Sequence, residues 1–425
     1  MKMMFETKYM ISTEQQKSTE LIVNLRASRR SLRGVAIFLI VMVTACTADS
    51  NIQAPDHILE MDNVTIHSAE DIQAADTLKL IYKQSYGESD DVMFGSPSFI
   101  DVDGSGRVYI ADRQENDIKV FNNEGEFVRT VGRSGDGPGE FRQISSVLIE
   151  NHSLWVYDNN LKRVNSYDTE TGHYNHGSRI AVNRSDFEDL DSRYVRGIHR
   201  LPNSRFLIDF LKTEMPENVT GWETVQNRSS FYIMNHHGEL TGGPIFEKPS
   251  SYHVMMVAGP RITGTPVDFY PSLQVGAAGN GRIYVMWPEH FLLEIYDERG
   301  EQEQAIYYPI ERVSYDPAGS FDGEQNELTE RARREVDFPA FEPVSDRMLM
   351  DDRDRVWVSV NTHEPNKDEW WVLDLDGKLL ARFSWPSDEP LETVRGDHVY
   401  TKQTEPGSGL QNVVRYRIQI GRQDA

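Results

Sequence analysis

The feature that most constrains this chain is a unit of four short apolar runs separated by turn residues. Its clearest copy occupies residues 96–141, SPSFIDVDGSGRVYIADRQENDIKVFNNEGEFVRTVGRSGDGPGEF. Apolar and polar residues alternate within each run, and Gly, Asn and Asp bound the runs, which is typical of antiparallel strands joined by tight turns. A four-stranded sheet of this kind cannot bury both of its faces alone, so the pattern predicts that the unit repeats.

The unit does repeat, with constant spacing. Residues 157–167 match residues 111–121 at an offset of 46, and GRIYV at 281–285 matches GRVYI at 106–110 at an offset of 175. Such offsets indicate one repeated architecture rather than the two or three unrelated domains that a length of 425 residues would suggest.

The motifs in the first unit resemble a known family. VYIAD at 108–112, Asn116, IKVF at 118–121 and the loop GDGPGEF at 135–141 are similar to an NHL-type repeat. The whole chain resembles the six-bladed β-propeller lipoproteins of bacterial envelopes, most clearly over residues 91–168. The resemblance implies a fold and says little about activity, because propellers serve many functions.

We therefore predict an all-β, six-bladed β-propeller with four-stranded antiparallel blades. The last repeat has too few strands, so we expect an N-terminal strand at 77–84 to complete it and close the ring, since closure removes exposed sheet edges. The predicted blades span residues 95–132, 143–187, 192–246, 270–310, 343–385 and 390–420 together with 77–84.

The N-terminus is typical of an exported lipoprotein. Residues 34–45 form a short apolar run behind three arginines, and this run ends at Cys46, the only cysteine in the chain. VTAC at 43–46 resembles a lipobox, in which the cysteine carries the lipid. A signal anchor or a chance apolar run is the alternative. We thus expect a signal segment at 1–45, a tether and extension at 46–75, and the propeller at 76–425.

Charge limits the partners. The chain carries a net charge of −23, and residues 1–45 carry +4, so the mature chain carries −27. A surface of this sign repels phosphate backbones, which argues against nucleic acid as a partner. It would accept cationic ligands or divalent cations, although acidity for solubility alone explains it as well.

Antiparallel strand order sorts the loops onto two faces of the predicted disc. The turns between first and second strands and between third and fourth strands share one face, here called the short-turn face. The loops between second and third strands and between blades share the other, here called the long-loop face. The segments predicted as long insertions all fall on the long-loop face: 212–228, 248–268, 312–342 (with a short charged helix at 324–336) and 361–368. Long loops gathered on one face are often functional.

The candidate site residues are those that this order places on the long-loop face. Arg113 and Arg163 are candidates for contacts with a ligand, as are Trp287, His290 and His363. Trp287 would serve equally well in the core. His253, together with His290 and His363, is a weak candidate set for a divalent metal ion, because three imidazoles with carboxylates suit zinc. The Asp and Asn residues that begin the same loops are expected to cap turns: Asp112, Asn116, Asp158 and Asn159.

We favour a non-enzymatic binding or scaffold propeller in the cell envelope, facing the periplasm or the cell surface. Lipidated Cys46 would attach it to the membrane, and an envelope protein, peptide or glycan would bind its long-loop face. The alternative is a divalent-metal-dependent lactonase- or lyase-like enzyme. The resemblance includes enzymes of that kind, but no residue here matches their metal ligands.

Overall fold

The computed structural model describes residues 54–87, 92–180, 194–213, 222–258, 261–266, 269–317 and 336–421. These residues form two short helices, α1 (Asp56–Leu59) and α2 (Ala69–Gln73), and twenty-six strands, of which β1 (Val64–Ile66) and β2 (Asp76–Tyr86) precede the first blade. No helix among them is long and apolar enough to cross a bilayer. The predicted signal segment at 1–45, Cys46, and residues 324–335 of the predicted charged helix lie outside the described residues.

Six antiparallel blades follow in chain order. Blade 1 holds β3 (Pro97–Val102), β4 (Val108–Asp112), β5 (Asp117–Phe121) and β6 (Phe127–Val131); blade 2 holds β7 (Ile144–Glu150), β8 (Ser153–Asp158), β9 (Arg163–Asp168) and β10 (Tyr174–Arg179). Blade 3 holds β11 (Tyr194–Leu201), β12 (Arg205–Lys212), β13 (Trp222–Met234), β14 (Phe246–Ala258) and β15 (Arg261–Pro266). Blade 4 holds β16 (Gln274–Ala277), β17 (Ile283–Met286), β18 (Leu292–Tyr296) and β19 (Gln302–Tyr307). Blade 5 holds β20 (Met348–Met350), β21 (Val356–Asn361), β22 (Lys367–Leu373) and β23 (Leu379–Pro386); blade 6 holds β24 (Leu391–Arg395), β25 (His398–Thr404) and β26 (Gln411–Gly421).

The first strand of each blade lies innermost, and these six strands form a closed ring. Each inner strand contacts the inner strands of the two neighbouring blades, in the order β3, β7, β11, β16, β20, β24 and back to β3. The core lies between the blades, where apolar faces of adjacent sheets meet. The predicted six-bladed fold is confirmed.

The N-terminal strand closes the ring, as predicted. β2 pairs antiparallel with β26 from Thr77↔Gly421 to Tyr86↔Val413 and becomes the fourth strand of blade 6. Leu78 and Tyr86 are buried in this position. β2 also makes a short parallel pairing with β23, which joins blades 5 and 6 into one eight-stranded sheet.

Residues 54–75, predicted as part of a tether and extension, are packed against the propeller. β1 adds to blade 4 as an extra outer strand, parallel to β19. Ile58 of α1 is fully buried against Tyr307, and the His67 ring stacks on Tyr308 with 4.2 Å between ring centroids. Ala75 then enters the core between blades 4 and 5.

Two of the predicted long loops contain strand residues. Of residues 212–228, positions 222–228 belong to β13; of residues 248–268, positions 248–258 belong to β14 and 261–266 to β15. β13 extends six residues beyond its last pair with β12, Lys212↔Arg228, and stays paired there with β14. At ~3.3 Å per residue this extension stands roughly 20 Å beyond β12 on the long-loop face. We call residues 222–227 of β13 and residues 252–256 of β14, with which they pair, the flap. In residues 248–266 the Gly and Pro residues resemble loop composition, which is why strands are not predicted there.

The aspartates that begin the second-to-third loops cap turns, as expected. The Asp112 carboxylate accepts hydrogen bonds from the backbone N–H groups of Gly95 (2.8 Å) and Ser96 (3.0 Å), which fixes the entry to blade 1. Asp158 accepts the same kind of bond from the backbone of Arg142 and Leu161 in blade 2. Each carboxylate therefore fixes the segment that enters its blade against the second strand of the same blade.

Candidate functional site

The five residues predicted to bind a ligand all lie in second-to-third loops or at their edges, on the long-loop face. Arg113 and Arg163 belong to blades 1 and 2, Trp287 and His290 to blade 4, and His363 to blade 5. They are therefore distributed around the disc rather than gathered at one point.

The two arginines differ in their surroundings. Arg113 is exposed at the end of β4. The Arg163 guanidinium donates hydrogen bonds to the carbonyl oxygens of Gly137 and Glu140, both at 2.8 Å. It thus holds the glycine-rich linker between blades 1 and 2, where Gly132 has a φ of 72° and a Cβ would lie 2.1 Å from the Phe141 ring. Arg163 has a structural task that limits its contact with a ligand.

Trp287 is part of a row of half-buried aromatic side chains. Its ring lies 6.1 Å from the Tyr252 ring on the flap, and Tyr252 lies 4.6 Å from Tyr270. Tyr270 in turn lies 5.1 Å from Phe269. The amide of Gln226 donates a 2.7 Å hydrogen bond to the Tyr252 hydroxyl and so orients that ring. We call Trp287, Tyr252 and Tyr270 the aromatic row; it joins the flap to blade 4.

The three histidines proposed as weak metal candidates have separate partners. His253 Nδ1 is bonded to the Asn227 amide within the flap. The His290 ring lies 5.7 Å from the His57 ring, and His363 Nε2 lies 3.8 Å from a Glu311 carboxylate oxygen. Burial lowers the pKa values of His253 and His290. Among the residues that the structure describes, no group of three or more His, Cys, Asp or Glu is placed to hold a metal ion.

The blade 5 side of the long-loop face carries an acidic pair. Burial, and next the nearby charge of Asp346, raise the pKa of Asp368 to about 6. Burial and Asp346 also raise the pKa of Glu342. Perturbed carboxylates of this kind occur both at functional sites and in structural networks.

A cluster that the sequence analysis missed lies on the propeller axis. Asp101 of β3 is 1% exposed, and its carboxylate accepts hydrogen bonds from three other blades. The donors are Arg395 Nε of blade 6 at 2.7 Å, Arg200 Nη2 of blade 3 at 3.1 Å and the Ile149 backbone N–H of blade 2 at 2.7 Å. Burial alone would raise the pKa of Asp101, but the two guanidiniums lower it below its ordinary value.

This cluster forms the floor of an axial cavity. Two adjoining spaces of about 480 and 340 Å³ share Glu150, Arg200, Asp352 and Arg395 as lining residues. Both are lined by the C-terminal ends of inner strands and by the turns that follow, so the cavity opens on the short-turn face. Volumes of this size fall within the usual range of about 300–1,000 Å³ for small-molecule sites.

Strand periodicity contained a signal for this cluster. Asp101, Glu150 and Arg200 occupy the last or next-to-last positions of three consecutive inner strands, 49 and 50 residues apart. Charged residues at the same position in the inner strands of successive repeats are predicted to lie close together at the propeller axis. The repeat offsets of 46 and 175 come from second and third strands, which do not contain these positions.

Comparison with known proteins gives one family match. Residues 58–198 match the model of the family DUF5128, described as a six-bladed β-propeller. No curated protein matches the chain at a significant level.

Solved structures with a similar fold have low sequence identity. A Bacteroides fragilis protein described as exported is 14% identical, with 84% of this chain and 99% of that one covered and a TM-score of 0.47. A DUF4221 family member from Bacteroides vulgatus is 11% identical, with coverage of 81% and 99% and a TM-score of 0.48. Virginiamycin B lyase from Staphylococcus aureus is 13% identical, with coverage of 80% and 99% and a TM-score of 0.39. The family match over residues 58–198 and the closed ring of six blades identify this chain as a six-bladed β-propeller.

Proposed function

We propose that this chain is an exported, lipid-anchored protein of the cell envelope whose propeller is a non-enzymatic binding module. Cys46 carries the lipid, and the long-loop face binds an envelope peptide, protein or glycan. The aromatic row is the observation that supports this proposal.

The aromatic row has the properties of a recognition surface. Trp287, Tyr252 and Tyr270 are half-buried, so each presents part of its ring to solvent while its base is fixed. Large rigid aromatic side chains supply much contact area at low entropic cost and are enriched at the centres of interfaces. The flap provides a wall beside them, so an extended ligand would contact rings and wall together.

The experiment measures binding of the purified protein to separated envelope proteins, peptides and glycans by biolayer interferometry. The variants are Tyr252→Ala and Trp287→Ala. Tyr82→Ala is the matched control, because Tyr82 is an exposed tyrosine on the outermost strand of blade 6.

We expect each aromatic variant to weaken binding by about 30-fold, since a central aromatic truncation costs ~2 kcal/mol or more. The control should bind like the parent protein, and all three variants should keep the parent far-ultraviolet circular dichroism. Equal binding by the parent and by both aromatic variants would contradict the use of this face.

A further inference from the structure

We propose that the axial cavity on the short-turn face binds a small apolar zwitterion, a molecule with a carboxylate, a protonated amine and an apolar group. Free apolar amino acids and short apolar peptides share this chemistry. The site is separate from the long-loop face and does not depend on the function proposed for it.

The cavity has a charged pole and an apolar wall. Arg200 and Arg395 lie at the charged pole with side chains that are 31% and 16% exposed, so both reach the cavity despite their bonds to Asp101. Apolar side chains also line the cavity: Leu148, Ile198, Val275, Met348 and Met350. A ligand that fills this space must therefore be charged at one end and apolar at the other.

The balance of charge selects a ligand with both signs. Two guanidiniums, Arg200 and Arg395, face the carboxylates of Glu150 and Asp352 in the lining that the two spaces share. A purely anionic ligand would be repelled by Glu150 and Asp352, and a purely cationic ligand by the arginines. A zwitterion places its carboxylate near the guanidiniums and its amine near the carboxylates, so that every charge has an opposite neighbour.

Two atoms at the charged pole lack hydrogen-bond partners among the described residues. They are Glu150 Oε2, an acceptor, and Arg200 Nε, a donor, and both are shielded from solvent. Leaving a buried charged group unpaired costs free energy, so such atoms call for a partner. A ligand ammonium would donate to Glu150, and a ligand carboxylate would accept from Arg200.

The donor at the arginine end is held in place before any ligand arrives. Asp101 fixes Arg200 and Arg395 through direct bonds, and Asp101 is itself fixed by the Ile149 N–H at 2.7 Å and by the Val102 N–H at 2.9 Å. A preorganised guanidinium loses little side-chain entropy on binding, which favours affinity for a small ligand.

The test is isothermal titration calorimetry on the full chain with three matched probes and one peptide. L-Leucine carries both charges, 4-methylpentanoate carries only the carboxylate, and 3-methylbutylamine carries only the amine. L-Leucyl-L-leucine distinguishes a peptide from a free amino acid as the source. We expect L-leucine or the dipeptide to bind at least about 10-fold more tightly than either singly charged probe, because each singly charged probe lacks the charged hydrogen bonds at one end of the ligand.

Two variants separate the two ends of the ligand. Glu150→Gln should weaken zwitterion binding about 10-fold and leave 4-methylpentanoate binding unchanged or stronger, because Glu150 makes no structural bond through Oε2. Arg200→Lys keeps the charge beside Asp101 and should weaken the zwitterion without weakening 3-methylbutylamine. Glu124→Gln, at an exposed turn, is the matched control and should change nothing.

Three results would overturn the proposal. The first is no binding of either zwitterion at millimolar concentration. The second is binding of 4-methylpentanoate as tight as that of L-leucine. The third is zwitterion binding that Glu150→Gln leaves unchanged, which would place the ligand elsewhere.

Discussion

Asp101 is the residue on which the inner ring most depends, and Asp101→Asn is the substitution that tests this. The change keeps the size of the side chain and removes its charge. Asp101 links blade 1 to blades 2, 3 and 6 through one carboxylate that is 1% exposed. Without that charge, Arg200 and Arg395 face each other with no anion between them.

The expected loss of stability is about 3 kcal/mol. Breaking a buried ion pair by removing one partner costs ~3–5 kcal/mol of stability. The lower end of this range applies because both guanidiniums remain in contact with the cavity and can be hydrated there. An unfolding entropy of ~2.1 cal/mol/K per residue over roughly 350 residues gives about 0.7 kcal/mol/K. The melting temperature should therefore fall by about 4 °C.

The assay is differential scanning calorimetry at several pH values. The pKa of Asp101 is lower in the folded protein than in the unfolded chain. The contribution of the Asp101 charge to the free energy of unfolding is therefore complete above the unfolded pKa of ~3.9, and it is lost as the pH falls toward the folded pKa. The difference in melting temperature between the parent and the variant should be largest at pH 7 and should decrease below about pH 4. Asp136→Asn, at an exposed pair with Arg142, is the control and should not shift the melting temperature. A drop of less than 1 °C at pH 7 for Asp101→Asn would refute the reasoning.

Two further predictions concern the N-terminus. Cys46→Ser removes the proposed lipid attachment, so the protein should no longer be found in the membrane fraction on cell fractionation. A variant that is still processed and still membrane-bound would show that the lipobox interpretation is wrong. Deleting residues 47–86 removes β2, exposes the edge of β26 and takes Leu78 and Tyr86 from the core. Because each buried side chain contributes ~3 kcal/mol, calorimetry should show a melting temperature lower by at least about 8 °C. A truncated protein that melts like the full chain would contradict the role of β2 in ring closure.

The fold was predictable because its determinants are local. Alternation within residues 96–141 identifies four strands, and the constant offsets to later repeats require the same blade again. Ring closure by β2 was also predictable, since the last repeat lacked a strand and a free sheet edge is unfavourable. The two parallel pairings, β1 with β19 and β2 with β23, were not predicted, because a parallel pair leaves no turn signal in the sequence.

The arrangement of the candidate sites was only partly predictable. Strand order placed Trp287 on the long-loop face, but its neighbour Tyr252 lies on a flap that was interpreted as a loop. A strand that extends past its neighbour in the blade, as β13 does past β12 before Arg228, has no equivalent in the other repeats to reveal it. Contacts between blades depend on tertiary geometry, and the short runs of sequence that predict strands do not encode them.

The axial cavity arises where the repeats depart from one another. Equivalent positions at the ends of the inner strands meet around the axis, so six like residues would give either a ring of one charge or a packed apolar plug. Blades 1 and 2 instead supply the acidic residues Asp101 and Glu150, and blades 3 and 6 supply the basic residues Arg200 and Arg395, whereas blade 4 supplies only small residues at 276–279. Opposite charges bind the blades together without filling the axis, and the small residues of blade 4 leave space beside them. The same departure from repetition thus holds the ring closed and leaves a polar cavity at its centre.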